Sequence, residues 1–273
     1  MELHLGKDTR MCVSLSARPG NFGTRFHNHL YRELGLDFVY KAFATDDIRG
    51  ALVGVRALRI RGCAISMPFK ETCIEHLDDL TPSAARIGAV NTIVNDDGHL
   101  TGHNTDCSAV RTLLEEHALP PDTPFALRGS GGMARAVVCA LHDAGLTRGV
   151  FVARNRETGP SLARASGLDW TPELTGQPPA LLINATPIGM AGTPDAQSLP
   201  FTEDQIRAAD IVFDVVATPS QTPFLRLATT LGKTTITGAE VIVLQAATQF
   251  ELYTGHRPTP EAITRAATFA LAG

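Results

Sequence analysis

Two short segments of the sequence combine polar residues of the kinds that move protons. Residues 66–71 end in Lys70 and Glu71, and residues 102–106 end in Asp106. A lysine can act as a general base when burial lowers its pKa, and a carboxylate can orient it or share its proton. Spacing alone does not pair Lys70 with Asp106, because a surface lysine and an aspartate that caps the next helix are ordinary alternatives.

A glycine-rich turn follows an apolar segment in the middle of the chain. Residues 125–127 predict a strand, and residues 135–144 predict a helix. Glycines between a strand and a helix let a pyrophosphate approach the free N–H groups at the helix N-terminus. Such a turn also occurs in ordinary βα loops, but this context predicts dinucleotide binding. The turn consists of Gly129, Ser130, Gly131, Gly132, Met133 and Ala134.

The end of the next predicted strand, residues 150–153, indicates which dinucleotide binds. An acidic side chain there suits the ribose hydroxyls of NAD, whereas guanidinium groups suit the 2′-phosphate of NADP. Arg156, together with Arg154, therefore predicts NADP, although arginines on a solvated loop are the simpler alternative. Hydride removal from an alcohol leaves a proton to transfer, and Lys70 is a candidate for that task.

Further motifs occur in an order that resembles the shikimate dehydrogenase family. The resemblance covers nearly the whole chain, and several motifs in fixed order are more specific than one glycine turn. The motifs are Pro68-Phe69-Lys70-Glu71, Ile87-Gly88-Ala89-Val90-Asn91-Thr92, Asn104-Thr105-Asp106, Gly129-x-Gly131-Gly132-x-Ala134-Arg135-Ala136, Asn155-Arg156, Asn184-Ala185-Thr186, Gly189-Met190, Thr222-Pro223-Phe224, Gln245 and Thr254-Gly255.

The resemblance implies an NADP-dependent oxidoreductase that interconverts shikimate and 3-dehydroshikimate, with Lys70 and Asp106 as the acid/base pair. Five side chains would bind the hydroxyls and the carboxylate of the cyclohexene acid: Ser14, Ser16, Ser66, Asn91 and Gln245. Short donors and acceptors suit a polyol, and a pocket built from them rejects analogues that leave them unpaired. Cofactor contacts would come from the turn Gly129 to Ala134 and from Asn155, Arg156, Thr186 and Gly238.

One departure from the family pattern lies near the first serine pair. Residues 17–26 intervene before His27-Asn28, where the family usually continues almost at once. This inserted segment predicts either a reshaped pocket mouth, with Arg18 as a contact for an anion, or a longer solvated loop.

A second departure is Ala217, which stands where the family commonly has a tyrosine that helps to bind the substrate carboxylate. Loss of one hydrogen bond to a charged partner costs about 1.5–3 kcal/mol. Ser66, where threonine is frequent, is a milder change. Together with the inserted segment, these features resemble the shikimate dehydrogenase-like subgroup.

Hydrophobic periodicity predicts the elements that position these residues. In the first part of the chain, residues 11–15, 38–43 and 63–65 predict strands. Between the first two, Phe26, Leu30 and Leu34 predict one face of a helix, which Gly35 would end. Thr45 can cap a second helix, carrying Ile48, Leu52 and Val55, and residues 89–100 predict a hairpin around Asp97-Gly98.

A second series of strands and helices begins near residue 125, with further strands at 181–184 and 211–216 and closing helices at 241–253 and 260–271. Prolines make residues 119–124 a plausible boundary. The predicted fold is α/β. An N-terminal substrate domain, residues 1–105, is completed by residues 240–273, whose helices pack back on it. A Rossmann-type doubly wound NADP domain with a parallel sheet covers residues 106–239.

Composition narrows the classes of partner. A net charge of −4 provides no surplus of positive charge for nucleic acid or an anionic membrane surface. No signal peptide and no apolar run of about 20 residues is evident, which predicts a soluble protein without membrane contact. The five scattered cysteines are typical of reduced thiols in the cytoplasm, and neither they nor the histidines show metal-site spacing, so we expect no metal. We expect a small-molecule substrate and a monomer or a homodimer.

Two rival functions stay open on the sequence. The first keeps the enzyme class and changes the alcohol to quinate or a related hydroxylated cyclic acid. The second is a weakly active NADP-binding regulatory module that senses a metabolite. An unrelated dehydrogenase with a similar cofactor domain would explain residues 129–134 but neither residues 66–71 nor residues 104–106.

Overall fold

The computed structural model describes residues 5–272, in which strands and helices alternate along most of the chain. The strands are β1 (Arg10–Ser16), β2 (Phe38–Ala44), β3 (Gly62–Ile65), β4 (Asp79–Leu80), β5 (Thr92–Asp96), β6 (His99–His103), β7 (Phe125–Arg128), β8 (Gly149–Val152), β9 (Asp169–Thr171), β10 (Leu181–Asn184), β11 (Ile211–Asp214) and β12 (Thr234–Thr237). The helices are α1 (Phe22–Glu33), α2 (Ile48–Ala57), α3 (Pro82–Ile87), α4 (Thr105–Glu116), α5 (Gly132–Asp143), α6 (Thr158–Ala165), α7 (Glu203–Ala208), α8 (Pro223–Thr230), α9 (Gly238–Thr254) and α10 (Pro260–Leu271).

The chain divides into two units. The first contains the chain up to Thr105 and from Val243 onward, and the second contains Asp106–Ile242. Each unit has its own sheet.

The sheet of the first unit is mixed and has the strand order β2-β1-β3-β5-β6-β4. β1 pairs in parallel with β2 and β3, whereas β5 runs antiparallel to β3 and β6. The turn between β5 and β6 places Asp97 at φ 51° and Gly98 at φ 98°. These positive angles are those that a tight hairpin needs, so the hairpin predicted at residues 89–100 is confirmed.

The two faces of this sheet pack against different helices. Cys12 lies in an apolar cluster with residues of α1, α9 and α10, including Phe250. Val13 and Leu15 point to the other side and pack with Leu52 of α2. α10 packs against α1, as predicted for the closing helices.

Two local predictions in this unit were wrong in detail. Leu34 was placed on the buried face of α1, but it follows the last helical residue and is 40% exposed. The side chain that caps α2 belongs to Asp47, which accepts a hydrogen bond from the backbone N–H of Gly50 at 2.8 Å. Thr45 instead accepts a hydrogen bond from the N–H of Asp47, so it shapes the turn before the cap.

The sheet of the second unit is parallel throughout and has the strand order β12-β11-β10-β7-β8-β9. The chain starts at β7, adds β8 and β9 on one side, and then adds β10, β11 and β12 on the other. This is the Rossmann arrangement, in which ligands bind outside the carboxyl ends of the strands where the order reverses. The predicted fold class is therefore confirmed.

Three boundary predictions need correction. Residues 119–124 lie inside the second unit, between α4 and β7, because the prolines end a helix without ending the unit. Asp106 lies in the first turn of α4 and is not its cap. In the inserted segment, residues 22–26 already belong to α1, so the loop contains only residues 17–21.

No helix between residues 5 and 272 combines the length and the apolar character needed to cross a bilayer.

Candidate functional site

The predicted substrate-binding serines lie on one side of the first sheet. Because side chains alternate along a strand, Ser14 and Ser16 share the face of Cys12, the side on which α9 packs. β1 places Ser14 next to Ala64 of β3, and the backbone N–H of Ser66 donates to the carbonyl of Leu15 at 3.0 Å. The structure thus brings all three serines to the carboxyl ends of β1 and β3.

Asn91 is the centre of a buried polar network in the same unit. Its side-chain oxygen accepts hydrogen bonds from the backbone N–H of Thr105 and the hydroxyl of Thr92, both at 2.8 Å. Its amide group donates to the hydroxyl of Thr105 at 2.9 Å and to the side-chain oxygen of Gln245 at 3.4 Å. Asn91 is 2% exposed, so these bonds fix the amide in one orientation.

Helix α9 contributes two glutamines to this network. Gln249, one turn after Gln245, donates to the hydroxyl of Thr92 at 2.8 Å and to the backbone carbonyl of Asn91 at 3.3 Å. Gln245 is half-buried, whereas Gln249 is buried. Residues four positions apart share one face of a helix, so Gln249 anchors the network and Gln245 lies nearer its open end.

A buried hydroxyl lies at the carboxyl end of β1. Ser16 is 3% exposed, and its Oγ has no hydrogen-bond partner among the residues that the structure describes. An unsatisfied buried hydroxyl costs about 1–3 kcal/mol, which a bound polar molecule or water would recover.

The structure places the two candidate proton-transfer residues in different units. Lys70 is half-buried on the turn after β3, and its carbonyl accepts a hydrogen bond from the N–H of Val90 at 2.7 Å, next to Asn91. Asp106 is the first residue of the second unit and directly follows Thr105, the partner of Asn91. Asp106 is thus the chain neighbour of a member of the Asn91 network, and Lys70 bonds to Val90, the chain neighbour of Asn91.

The glycine-rich turn has the backbone that a phosphate site requires. Gly129 has φ 128°, and a Cβ atom there would lie 2.8 Å from the backbone oxygen of Ala185. Only glycine avoids both the strain and the clash. Gly131 caps α5 with extended backbone, and no side chain fills the space around it. The first N–H groups of a helix have no partner within the helix, and this backbone is of the kind that suits a pyrophosphate.

The residues after β8 have structural as well as candidate cofactor roles. The side-chain oxygen of Asn155 accepts hydrogen bonds from the N–H groups of Glu157 and Thr158 at 2.8 and 2.9 Å, which stabilises the start of α6. The hydroxyls of Ser130 and Thr158 lie 2.8 Å apart and tie the glycine-rich turn to α6. Arg156 is exposed, as a residue that binds a phosphate from solvent must be.

A second buried network holds the loops after β10 and β11. The hydroxyl of Thr186 donates to Asn184 at 2.6 Å, and the amide of Asn184 donates to Asp214 at 3.0 Å. Thr222, which caps α8, donates to the other oxygen of Asp214 at 2.6 Å. Burial raises the pKa of Asp214 to about 6, although these donors oppose the rise.

Gly238 begins α9 at a crowded place in the second unit. A Cβ atom there would lie 2.4 Å from the carbonyl oxygens of Val215 and Val216. Sequence analysis predicts that Gly238 precedes a helix or contacts the cofactor, and the structure adds close backbone approach as a reason for glycine.

Sequence reasoning missed several residues of these networks. Thr105, Gln249 and Asp214 were not predicted as site residues, although each is buried and polar. The signal that could have found Asp214 is its place at the carboxyl end of a Rossmann strand. The structure also brings together Cys107, Cys139 and Asp143, for which spacing along the chain gave no metal site.

The fold and these sites define a two-domain α/β protein of the dinucleotide-binding class. The model of the shikimate dehydrogenase substrate binding domain matches residues 22–93. A shikimate dehydrogenase-like protein of Haemophilus influenzae is 52% identical over 97% of this chain and 98% of its own length.

Solved structures agree with these sequence matches. A structure of a shikimate 5-dehydrogenase-like protein has 52% identity and a TM-score of 0.90, covering 98% of this chain and 99% of its own. Shikimate 5-dehydrogenase from Thermus thermophilus, solved in complex with NADP(H) and shikimate, has 32% identity and a TM-score of 0.86, with 96% and 100% covered. The chain belongs to the shikimate dehydrogenase family.

Proposed function

We propose that this chain is an NADP-dependent oxidoreductase that interconverts shikimate and 3-dehydroshikimate, with Lys70 and Asp106 as its acid/base pair. The observation that carries the proposal is the cluster of polar side chains in the first unit. There the Asn91 network and the buried hydroxyl of Ser16 lie on the side of the sheet that α9 covers. Family membership supports the enzyme class and the cofactor.

The chemistry of the pocket residues suits a small ring with several hydroxyls. Ser14, Ser16 and Ser66 offer donors and acceptors on short side chains, and Gln245 offers an amide from α9. Because Asn91 is already bonded to Thr105 and Thr92, its orientation is set before a ligand arrives. Such preorganisation favours a ligand that matches the donors and penalises one that leaves them unpaired.

The second unit would hold NADP. The glycine-rich turn, Gly129 to Ala134, would hold the pyrophosphate on the N–H groups of α5. Arg156 would bind the 2′-phosphate, and Thr186 and Gly238 would line the site at the strand ends. When bound, NADP would supply the acceptor or the donor of the hydride that leaves or reaches the alcohol carbon.

Lys70 would transfer the proton that accompanies hydride transfer. During oxidation its Nζ takes the proton from the substrate hydroxyl, and during reduction it returns that proton to the carbonyl oxygen. The carboxylate of Asp106 would orient the lysine and share its proton. This pair is proposed from the resemblance and from the chain positions of the two residues beside the Asn91 network.

Replacement of Lys70 by alanine tests the proposal. We expect kcat for shikimate oxidation to fall about 10²–10⁴-fold, while NADP affinity, measured by calorimetric titration, stays unchanged. Lys41→Ala is the matched control, because Lys41 is an exposed lysine of the same unit that lies over the ring of Phe43. Normal turnover in Lys70→Ala would remove Lys70 from the mechanism.

A second candidate substrate is quinate or a related hydroxylated cyclic acid. It stays open because the chain departs from the family pattern at Ala217 and in the loop of residues 17–21. Steady-state kinetics on a panel of such acids decides between the candidates by kcat/KM. Tight binding of NADP with negligible turnover of every acid would instead support a regulatory module.

We also propose a cytoplasmic location, since the five cysteines of the chain all carry thiols in the described structure.

A further inference from the structure

Two cysteines and an aspartate converge in the second unit, between α4 and α5. The Sγ atoms of Cys107 and Cys139 and a carboxylate oxygen of Asp143 all lie within 4.8 Å of one another. Cys107 is buried, Cys139 is half-buried and Asp143 is exposed.

The helices explain how this cluster forms. Cys139 and Asp143 are four residues apart on α5, so their side chains share one face of that helix. Cys107 comes from the first turns of α4, 32 residues earlier in the chain. The cluster therefore depends on how α4 and α5 pack, and sequence spacing does not reveal it.

We propose that Cys107, Cys139 and Asp143 form a binding site for one zinc ion. Zinc takes thiolate sulfur at about 2.3 Å and carboxylate oxygen at about 2.0–2.2 Å, in tetrahedral geometry. In that geometry neighbouring ligand atoms lie about 3.5–4 Å apart, a separation that small side-chain rotations reach from the observed arrangement. Three protein ligands leave a fourth position for water.

The ligand set favours a divalent cation over a disulfide. Reactive cysteines lie in electropositive surroundings that stabilise the thiolate. Here a carboxylate lies beside both sulfurs, and carboxylate oxygen and thiolate sulfur together suit a divalent cation. Thiolate ligands also select zinc over magnesium or calcium, which prefer oxygen.

Zinc binding at this site would release protons from the two thiols. Each thiol loses one proton to solvent as its sulfur bonds to the metal, and the carboxylate binds as it stands, so one zinc ion displaces two protons. No oxidant takes part. The exposed carboxylate of Asp143 gives the ion a path from solvent.

A zinc ion here would brace the first turn of α4 against α5. Cys107 directly follows Asp106 in that turn, so the ion would stiffen the segment that carries Asp106. The inference does not rest on the proposed oxidoreductase activity, because zinc binding is measured without substrate or NADP.

Cobalt titration of the full chain, stripped of metal by a chelator and kept reduced, tests the site. Co²⁺ bound to thiolates gives a charge-transfer absorption in the near ultraviolet, and Zn²⁺ abolishes it by displacement. We expect one Co²⁺ per chain with this absorption. We expect Cys139→Ala to abolish it and Asp143→Asn to weaken binding at least tenfold.

The matched controls remove the same residue types elsewhere. Cys73→Ala removes a cysteine that is buried in the first unit, and Asp122→Asn removes an exposed aspartate of the second unit. Both should bind Co²⁺ as the original chain does. Absence of thiolate absorption in the original chain, or equal absorption in Cys139→Ala, would overturn the proposal.

A second measurement covers the case in which a cysteine variant fails to fold. Iodoacetamide labelling of the original chain, mapped by mass spectrometry, should show Zn²⁺ protecting Cys107 and Cys139 at least tenfold, and leaving Cys12, Cys63 and Cys73 unchanged. If the reduced chain shows no protection and air oxidation instead joins Cys107 to Cys139, the pair is a redox site and the zinc proposal is wrong.

Discussion

The two units build their candidate sites from different materials. In the first unit, side chains make the candidate site. Asn91 is hydrogen-bonded to Thr105 and to Gln249, and the buried hydroxyl of Ser16 has no hydrogen-bond partner among the described residues. In the second unit, the backbone makes the candidate site, since the conformation of Gly129 admits only glycine and no side chain caps the start of α5. A site made by side chains can change its ligand by single substitutions, whereas a site made by the backbone keeps one ligand class.

The two units also differ in their buried titratable groups. The first unit contains His27, which is fully buried, stacks on Tyr40 at 4.4 Å between ring centroids, and has its pKa lowered by burial to about 3. The second unit contains Asp214, whose pKa burial raises to about 6. Burial favours the neutral form of each group, and the two therefore respond to pH in opposite directions.

The largest effect should come from the backbone site. Gly129→Ala would place a methyl group 2.8 Å from the oxygen of Ala185 at φ 128°, which we expect to cost about 3 kcal/mol in the free energy of unfolding, measured in urea. Gly131→Ala separates cofactor binding from stability, because a Cβ atom at residue 131 would have no protein atom within 4 Å. It should keep the stability and lower NADP affinity by more than tenfold. Unchanged NADP affinity in Gly131→Ala would contradict a phosphate site at this turn.

Asp214 and His27 should make the free energy of unfolding depend on pH in opposite directions. The pKa of Asp214 rises from 3.8 to about 6 on folding, so its contribution is present below pH 3.8 and is lost as pH rises through 6. The pKa of His27 falls from 6.5 to about 3, so its contribution is present above pH 6.5 and is lost as pH falls toward 3. Each slope should approach about 1.4 kcal/mol per pH unit.

Urea unfolding between pH 4 and pH 6.5 measures these slopes. The difference in unfolding free energy between the original chain and Asp214→Asn should fall as pH rises. The difference between the original chain and His27→Phe, which keeps an aromatic ring against Tyr40, should rise. Parallel slopes for the two variants would show that burial does not control these groups.

The side-chain network should show an intermediate effect. Asn91→Ala leaves the N–H of Thr105 and the hydroxyl of Thr92 without their acceptor, and we expect a loss of about 2 kcal/mol in urea unfolding. Gln245→Ala removes a longer contact of 3.4 Å at a half-buried position. It should cost less than 1 kcal/mol and raise KM for the substrate instead. A larger stability loss for Gln245→Ala than for Asn91→Ala would contradict the assignment of Asn91 as the centre of the network.

The smallest effect concerns the cap of α2. Asp47→Ala should cost about 1 kcal/mol in thermal or urea unfolding, because the side chain of Asp47 binds the N–H of Gly50. Thr45→Ala should cost distinctly less, since the hydroxyl of Thr45 bonds to the backbone N–H and carbonyl of Asp47 in the exposed turn before the helix. The reverse order would restore Thr45 as the cap.

The parts of the site that depend on short segments could be predicted from the sequence. The turn at residues 129–134 was found because its glycines, strand and helix are adjacent in the chain, and the hairpin was found from Asp97-Gly98. The bond from Gln249 to Thr92 joins residues 157 positions apart. Nothing in local spacing predicts that pairing, and the same holds for Cys107 and Cys139.

The sequence by itself determined the main strands and helices, the glycine turn and the hairpin, because backbone angles and apolar periodicity are properties of neighbouring residues. Only the tertiary structure decided that Asp47 and not Thr45 caps α2, that Asn91 binds Thr105, and that burial raises the pKa of Asp214 to about 6. Hydrogen-bond partners and burial come from segments that are distant in the chain, and they set the orientation and the charge of each buried polar group.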